Sequence, residues 1–345
     1  MRDVAAHAGV SPATVSYVIN NRNRVGEAVR QRVLDAMKDL AYYPSASARS
    51  LVRQRTNLIG FLIPHRPESV FLDPYFAELM RGVAISADAH ECSPVMVTVE
   101  GDDHARVVSG RLVRNNLVDG IIVSYLSDHD SYLLAEMEQT AIPFVIIGSA
   151  KKRSYTTVDV DNRDGAEQAM AHLLALGHHA LGFINGPDDA PHARQRLWGV
   201  RSLLLAHELP LSCCPVVNGG FSREGGYAAM QQLLTSRGGE GAPTAVFAAS
   251  DQMAVGAVQC LHERGVRVPD DISLVGFDDN LLATATYPTL TTVRQPIRQL
   301  GEMAADFLFK KINGLPLPPS ITLPTELVVR DSTMARRAPA EGGPR

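Results

Sequence analysis

The chain has 345 residues, 45% of them hydrophobic and 20% charged, with a formal net charge of −4. This is ordinary globular composition with room for two or three sizeable cores. No apolar run approaches the roughly 20 residues of a membrane span, and the N-terminus lacks the basic, apolar and small-residue regions of a signal peptide, so a cytoplasmic protein is expected. The four cysteines, Cys92, Cys213, Cys214 and Cys260, form no CxxC pair. They read as buried or inert thiols, with no metal site or disulfide framework. The charge is unevenly spread. Residues 1–56 hold nine Lys/Arg against four Asp/Glu, and the remainder is acidic. A basic head on an acidic body suits a protein that touches phosphates with one end.

Asp3 to Ala8 reads as a short helix, and Gly9 follows it as a turn residue that tolerates positive φ. Ser11 to Asn20 (SPATVSYVIN) reads as a second helix. Ser11 is its N-cap and Pro12 its first residue, where the missing amide costs nothing. Val15, Val18 and Ile19 give it one apolar side. Glu27 to Leu40 carries Val29, Val33, Leu34 and Met37 at helical spacing and closes a three-helix core, with Val10 and Leu40 also read as core. Helix, glycine turn, helix is the outline of a helix-turn-helix, whose second helix enters the DNA major groove.

The letters of this stretch say more. DVAAHAGVSPATVSYVIN, followed by RVGEAVRQRVLDAMKDLAYYPSASARSL, closely resembles the head of the lac-repressor (LacI/GalR) family of bacterial transcription regulators. The resemblance implies base-facing roles for Pro12, Ala13, Ser16 and Tyr17, with Thr14 and Asn20 nearer the DNA backbone. Family members usually carry Arg at the position of Tyr17. A tyrosine offers one hydroxyl hydrogen bond and ring contact to a thymine methyl, so the usual guanine preference does not carry over. Residues 1–43 are then the DNA-reading head and 44–56 a linker. By resemblance the linker forms a hinge helix on operator DNA. In it Leu51 wedges between base steps in the minor groove, and Ala48 lets two hinges approach.

From Asn57 onward apolar β runs alternate with helical stretches. The runs are 58–63, 94–99, 120–125 and 143–148, then 180–186, 214–219, 245–250 and 272–279. Helices are expected over 74–89, 103–116, 164–176, 193–207, 223–235 and 251–264, among others. Two βαβ series predict an α/β body of two doubly wound parallel sheets, with ligand at the carboxyl ends of the strands. The family arrangement is that of periplasmic sugar-binding proteins, with two lobes, three crossovers and a cleft. The N-lobe is expected over about 57–160 and 293–321, and the C-lobe over about 161–292 and 322–334. The crossovers are expected near Asp159–Asn162, Leu290–Val293 and Thr322–Pro324. Residues 335–345 read as a disordered tail. That tail lacks the leucine heptads of a tetramer, so a homodimer is expected.

In the cleft, Arg196 matches the family's ligand-holding arginine and Asp278 the acid opposite it. A guanidinium and a carboxylate can bracket vicinal hydroxyls, and in some family members the same two positions bind purines. The resemblance and position add Ser250, Phe221 and Trp198, the aromatic pair Tyr75 and Phe76, and Tyr125. Asp251 and Asp279 read as capping or structural residues. Asp161 and Asn162 are open between structure and ligand, and His178 and His179 belong to a family turn. There is no P-loop, GxSxG, HExxH or metal-ligand cluster. The expectation is therefore no cofactor, no metal and no enzyme, but a repressor on double-stranded operator DNA. Its affinity is set by a small-molecule effector, most simply a sugar. The alternatives are a cytoplasmic carbohydrate-binding protein, or a regulator answering to a purine or a protein partner.

Overall fold

A computed structural model describes residues 1–19, 25–42, 55–99, 110, 112, 115, 117–124, 126–150, 152, 154–235 and 242–336. Asn20, Ala48, Leu51 and Tyr125 lie outside the described residues, as do almost all of the helix expected at 103–116, most of the linker and the end of the tail. The chain divides into two compact units, Met1–Asn57 and Leu58–Arg345.

The first unit is built from helices Arg2–Ala8, Pro12–Ile19 and Glu27–Asp39. Gly9 ends the first helix at φ 65, a left-handed conformation that costs glycine little. The Ser11 hydroxyl accepts from the Thr14 amide at 3.1 Å and starts the second helix. Val4, Val15, Val18, Val33 and Ala36 make the core, with Val10 packed on its edge. Leu34 and Leu40 correct the sequence expectation. They are 43% and 42% exposed. Leu34 is turned about 100° from Val33 around the helix, so Ala36 and Met37 fill the interior instead. Leu40 lies past the last helical residue.

The second unit contains two six-stranded sheets. The first takes β1 (Leu58–Ile63), β2 (Ser93–Thr98), β3 (Gly120–Ser124), β4 (Phe144–Ile147), β5 (Thr157–Val160) and β11 (Ser320–Leu323), in the order β11-β5-β4-β3-β1-β2, all parallel. The second takes β6 (Leu181–Asn185), β7 (Val216–Asn218), β8 (Ala245–Ala248), β9 (Ser273–Asp278), β10 (Thr291–Arg294) and β12 (Glu326–Val328), in the order β12-β10-β9-β8-β6-β7. Here β12 runs antiparallel to β10, so this sheet is parallel except for one edge strand. In each sheet the central strands are buried on both faces, which is why they read as continuous apolar runs rather than alternating ones.

The chain crosses between lobes three times. The first crossing follows β5 at Asp161. The second follows Arg294, at Gln295–Pro296, because Leu290–Val293 belongs to β10 and its neighbouring turn in the C-lobe. The third follows Leu323, because Thr322 still pairs with Asp159 in the N-lobe sheet. Helix Ile297–Ile312 then packs on helix Pro74–Ala89 in the N-lobe. Their backbones meet at paired glycines. A Cβ on Gly82 would lie 2.0 Å from the Arg298 carbonyl oxygen, and one on Gly301 would lie 2.2 Å from that of Leu79. No helix among the described residues is long and apolar enough to cross a membrane.

Candidate functional site

In the first unit, helix Pro12–Ile19 turns Val15 and Val18 inward. Pro12 and Ala13 are exposed, and Thr14, Ser16 and Tyr17 are half-buried along its rim. One face of this helix is held by the core, and the other is exposed or half-buried.

In the second unit, the carboxyl ends of strands from both sheets open on one pocket of about 680 Å³ empty space. Its lining brings together Tyr75, Arg196, Phe221, Ser250 and Asp278 from the sequence expectation. Arg196 is 4% exposed, on helix Pro191–Ala206. Its Nε donates to Asn162 Oδ1 at 2.9 Å and its Nη1 to the Ala249 carbonyl. The guanidinium lies 3.7 Å from the centre of the Phe277 ring, a cation–π contact that further fixes its plane. Asp278 ends β9 with φ 123, followed by Asp279 at φ 56. This kink sends the two carboxylates apart. Asp278 faces the pocket, whereas Asp279 pairs with Arg294 at 2.7 Å and Arg330 at 2.5 Å. Ser250 caps helix Asp251–Glu263, accepting from the Met253 amide at 3.2 Å. Phe221 stacks on His192 with ring centres 4.9 Å apart.

Two expected ligand residues are elsewhere. Trp198 is 60% exposed and stacks under the Arg163 guanidinium. It is two residues beyond Arg196, about 200° around the same helix, and so points away from the cleft. Phe76 is 3% exposed, in the N-lobe core beside Leu79 and Val83. One residue after Tyr75, it is turned by about 100° into the sheet. Asn162 lines the pocket, and Asp161 caps the following helix by accepting from the Asp164 amide at 2.9 Å. His178 bonds Thr244 and the Met334 carbonyl and is structural. Asp251 is fully buried and accepts from Thr292 Oγ1 at 2.6 Å and the Asn280 amide at 3.1 Å.

Among the lining residues that were not legible as such are Asp73, Asp159, His192 and Gln295. Asp73 announces itself in LDPYF only as an N-cap, and it does accept from the Tyr75 amide at 3.0 Å. Asp159 looks like an ordinary alternating strand residue. His192 and Gln295 carry no local signal.

The pocket is electrostatically unusual. Burial pushes the Asp278 carboxyl up to about 7, against the opposing pull of Arg196 and with a further push from Asp73. Burial likewise raises Asp73 and Asp159 to about 6 each. Asp251 is raised by burial and by the Asp278 charge. Burial, then Arg196, lowers His192 to about 3, so it is neutral. Carboxyls balanced near neutrality can both donate and accept hydrogen bonds. With an arginine fork and the faces of Tyr75 and Phe221, the arrangement suits a small polar molecule rich in hydroxyls. The described residues contain no group of three or more His, Cys, Asp or Glu side chains placed to hold a metal ion.

Comparison with known proteins agrees with this anatomy. Residues 1–45 match the model of bacterial regulatory proteins of the lacI family, and residues 170–333 match a periplasmic binding protein-like domain. The transcriptional regulator CelR of Thermobifida fusca is 35% identical over 337 residues, covering 95% of this chain and 96% of CelR. The chain belongs to the lacI family of bacterial regulatory proteins. This lacI-family protein is a DNA-binding transcription regulator. Among solved structures it resembles a lac repressor dimer bound to operator and an anti-inducer, at TM-score 0.85 and 31% identity over 96% of this chain and 98% of that one. It also resembles a CelR–cellobiose complex, at TM-score 0.74 and 32% identity over the same shares.

Proposed function

We propose that this regulator reads a pseudo-palindromic operator as a two-fold dimer and changes its operator affinity when a small carbohydrate binds between its lobes. The observation that carries the effector class is the pairing of buried Arg196 and Asp278 on one pocket with the rings of Tyr75 and Phe221. Hydroxyl pairs match the fork and the carboxyl, and the apolar face of a sugar matches the rings. The cellobiose in the related CelR complex supports the same class. The operator and dimer in the related lac repressor structure support the DNA-bound assembly.

Pro12, Ala13, Thr14, Ser16 and Tyr17 contact the operator in this reading, joined by Asn20. Ala48 and Leu51 belong to the hinge that orders on DNA. Ordering about eight hinge residues costs roughly 1–2 kcal/mol each. DNA contact and the neighbouring hinge must offset that together, so the hinge responds to the spacing of the two bodies. Tyr125 is counted among the effector-binding residues in this reading. Effector and operator alter each other's affinity by the same factor, whichever the direction of control.

A thermal-shift screen of sugars, sugar phosphates, nucleobases and amino acids tests this reading. A sugar at a hundred times its dissociation constant adds roughly 2.7 kcal/mol to stability. The expected result is a sugar hit that disappears in Arg196→Ala. Hits confined to nucleobases, or none at all with operator binding intact, overturn it.

A further inference from the structure

The two side chains that anchor the proposed effector are each tied to a different crossover between the lobes. Asn162 immediately follows the first crossing and is 2% exposed. Its Oδ1 accepts from Arg196 Nε at 2.9 Å, and its Nδ2 donates to Gln195 Oε1 at 2.9 Å and to the Val160 carbonyl at 3.2 Å. Gln295 lies on the second crossing and is 5% exposed. Its Nε2 donates to Asp278 Oδ1 at 2.5 Å, and its backbone N–H donates to the Asp278 carbonyl at 3.3 Å. The two clamps touch through Phe277, whose ring carries the Arg196 guanidinium and whose backbone leads into Asp278.

We infer that Asn162 and Gln295 are positioning residues that couple the effector anchors to the interlobe crossovers, so that seating the effector and rotating the lobes become one event. This rests on the reading of Arg196 and Asp278 as those anchors. Lobes rotate by changing φ and ψ at a few residues in the connections between them. A side chain rooted there swings when those angles change. Its hydrogen bond to a charged partner therefore forms in one crossover geometry and breaks in another. An effector that needs both anchors in place binds that geometry better, and only such a difference in affinity can shift a conformational equilibrium. Partners placed elsewhere in the C-lobe would hold Arg196 and Asp278 equally well but would not report on the crossing.

The test uses the full chain, an operator duplex selected from random DNA, and cellobiose as probe, with the near-isosteric Gln295→Met and with Asn162→Leu. Operator affinity is measured for both variants with and without cellobiose. Cellobiose binds about ten- to a hundredfold more weakly, as for loss of a hydrogen bond to a charged group. At saturating cellobiose the change in operator affinity falls towards unity. A variant that binds cellobiose weakly yet keeps the full change in operator affinity at saturation overturns the proposal.

A ligand-free measurement separates this from the effector reading. Asp278 is faced by Arg196, Asp73, Asp251 and Gln295. Only the last changes in Gln295→Met, so the Asp278 carboxyl carbon, followed by NMR, titrates at higher pH than in the parent. If cellobiose does not bind the parent, the choice of cellobiose as probe fails and this titration decides alone. An unchanged titration overturns the positioning role. Should Asn162→Leu not fold, Gln295→Met carries both measurements.

Discussion

Replacing Asp73 by Asn should stabilise the protein at neutral pH and do much less in acid. The asparagine keeps the helix cap, since Asn and Asp are equally good N-caps, and the cap bond to the Tyr75 amide can persist. What it removes is a buried negative charge. Burial raises the Asp73 carboxyl from 3.8 to about 6. In the unfolded chain it ionises near 3.8, while in the folded chain it stays protonated until about 6. The unfolded state therefore binds fewer protons in this window, and the folded state loses stability as pH rises through it. The full loss is present above the folded value. A displacement of about two units corresponds to roughly 3 kcal/mol at most, with about a third of that developed by pH 4.5. Thermal unfolding of parent and Asp73→Asn at pH 4.5 and 7.5 reads the difference. At roughly 2–4 °C per kcal/mol for a body of this size, the variant should gain several degrees at pH 7.5 and clearly less at pH 4.5. An equal gain at both values, or a loss at pH 7.5, refutes the reasoning.

Three further outcomes follow from other contacts. Gly82→Ala forces the helices Pro74–Ala89 and Ile297–Ile312 apart and should cost about 1–3 kcal/mol in denaturant unfolding. Gly301→Ala acts at the same contact, so the double variant should lose less than the sum; strict additivity contradicts a shared contact. Across the mouth of the cleft, Arg194 bonds Asp128 at 2.9 Å and the Asp128 amide donates to the Asp189 carbonyl at 3.1 Å. Arg194→Gln should weaken effector binding by up to about fivefold, the scale of a partly exposed ion pair. The exchange Asp128→Arg with Arg194→Asp should recover part of it, whereas no recovery by calorimetry argues against an interlobe bond. In the head, Tyr17→Ala should reduce operator affinity by about tenfold, on the scale of one base contact, with little change on random DNA. Equal losses on both, measured by fluorescence anisotropy, place Tyr17 outside base recognition.

Local and periodic features were readable along the chain because their causes are local. Gly9, Ser11 and Pro12 mark a turn and a helix start by backbone geometry and capping alone. The apolar runs of β1, β3, β4, β6 and β8 declare buried parallel strands, because a strand covered on both faces has no polar side. Arg196 and Asp278 stood out through the resemblance of their flanking motifs, and their place in the second turn of a helix and at a strand end brings them to one pocket. Tertiary structure decided what depends on direction. Trp198 and Phe76 lie close to true lining residues in sequence, yet two helical steps turn the first to solvent and one turns the second to the core. Asp73, Asp159, His192 and Gln295 come from four separate segments, and no spacing links them. Their shared burial displaces the titration of Asp73, Asp159 and His192, and it exists only once both sheets present their carboxyl ends to one cleft. Even the crossings shifted by a few residues, because a strand's end is set by its partner's register. A single sequence carries side-chain type and period, whereas the facing of residues far apart in the chain is a property of the packed sheets.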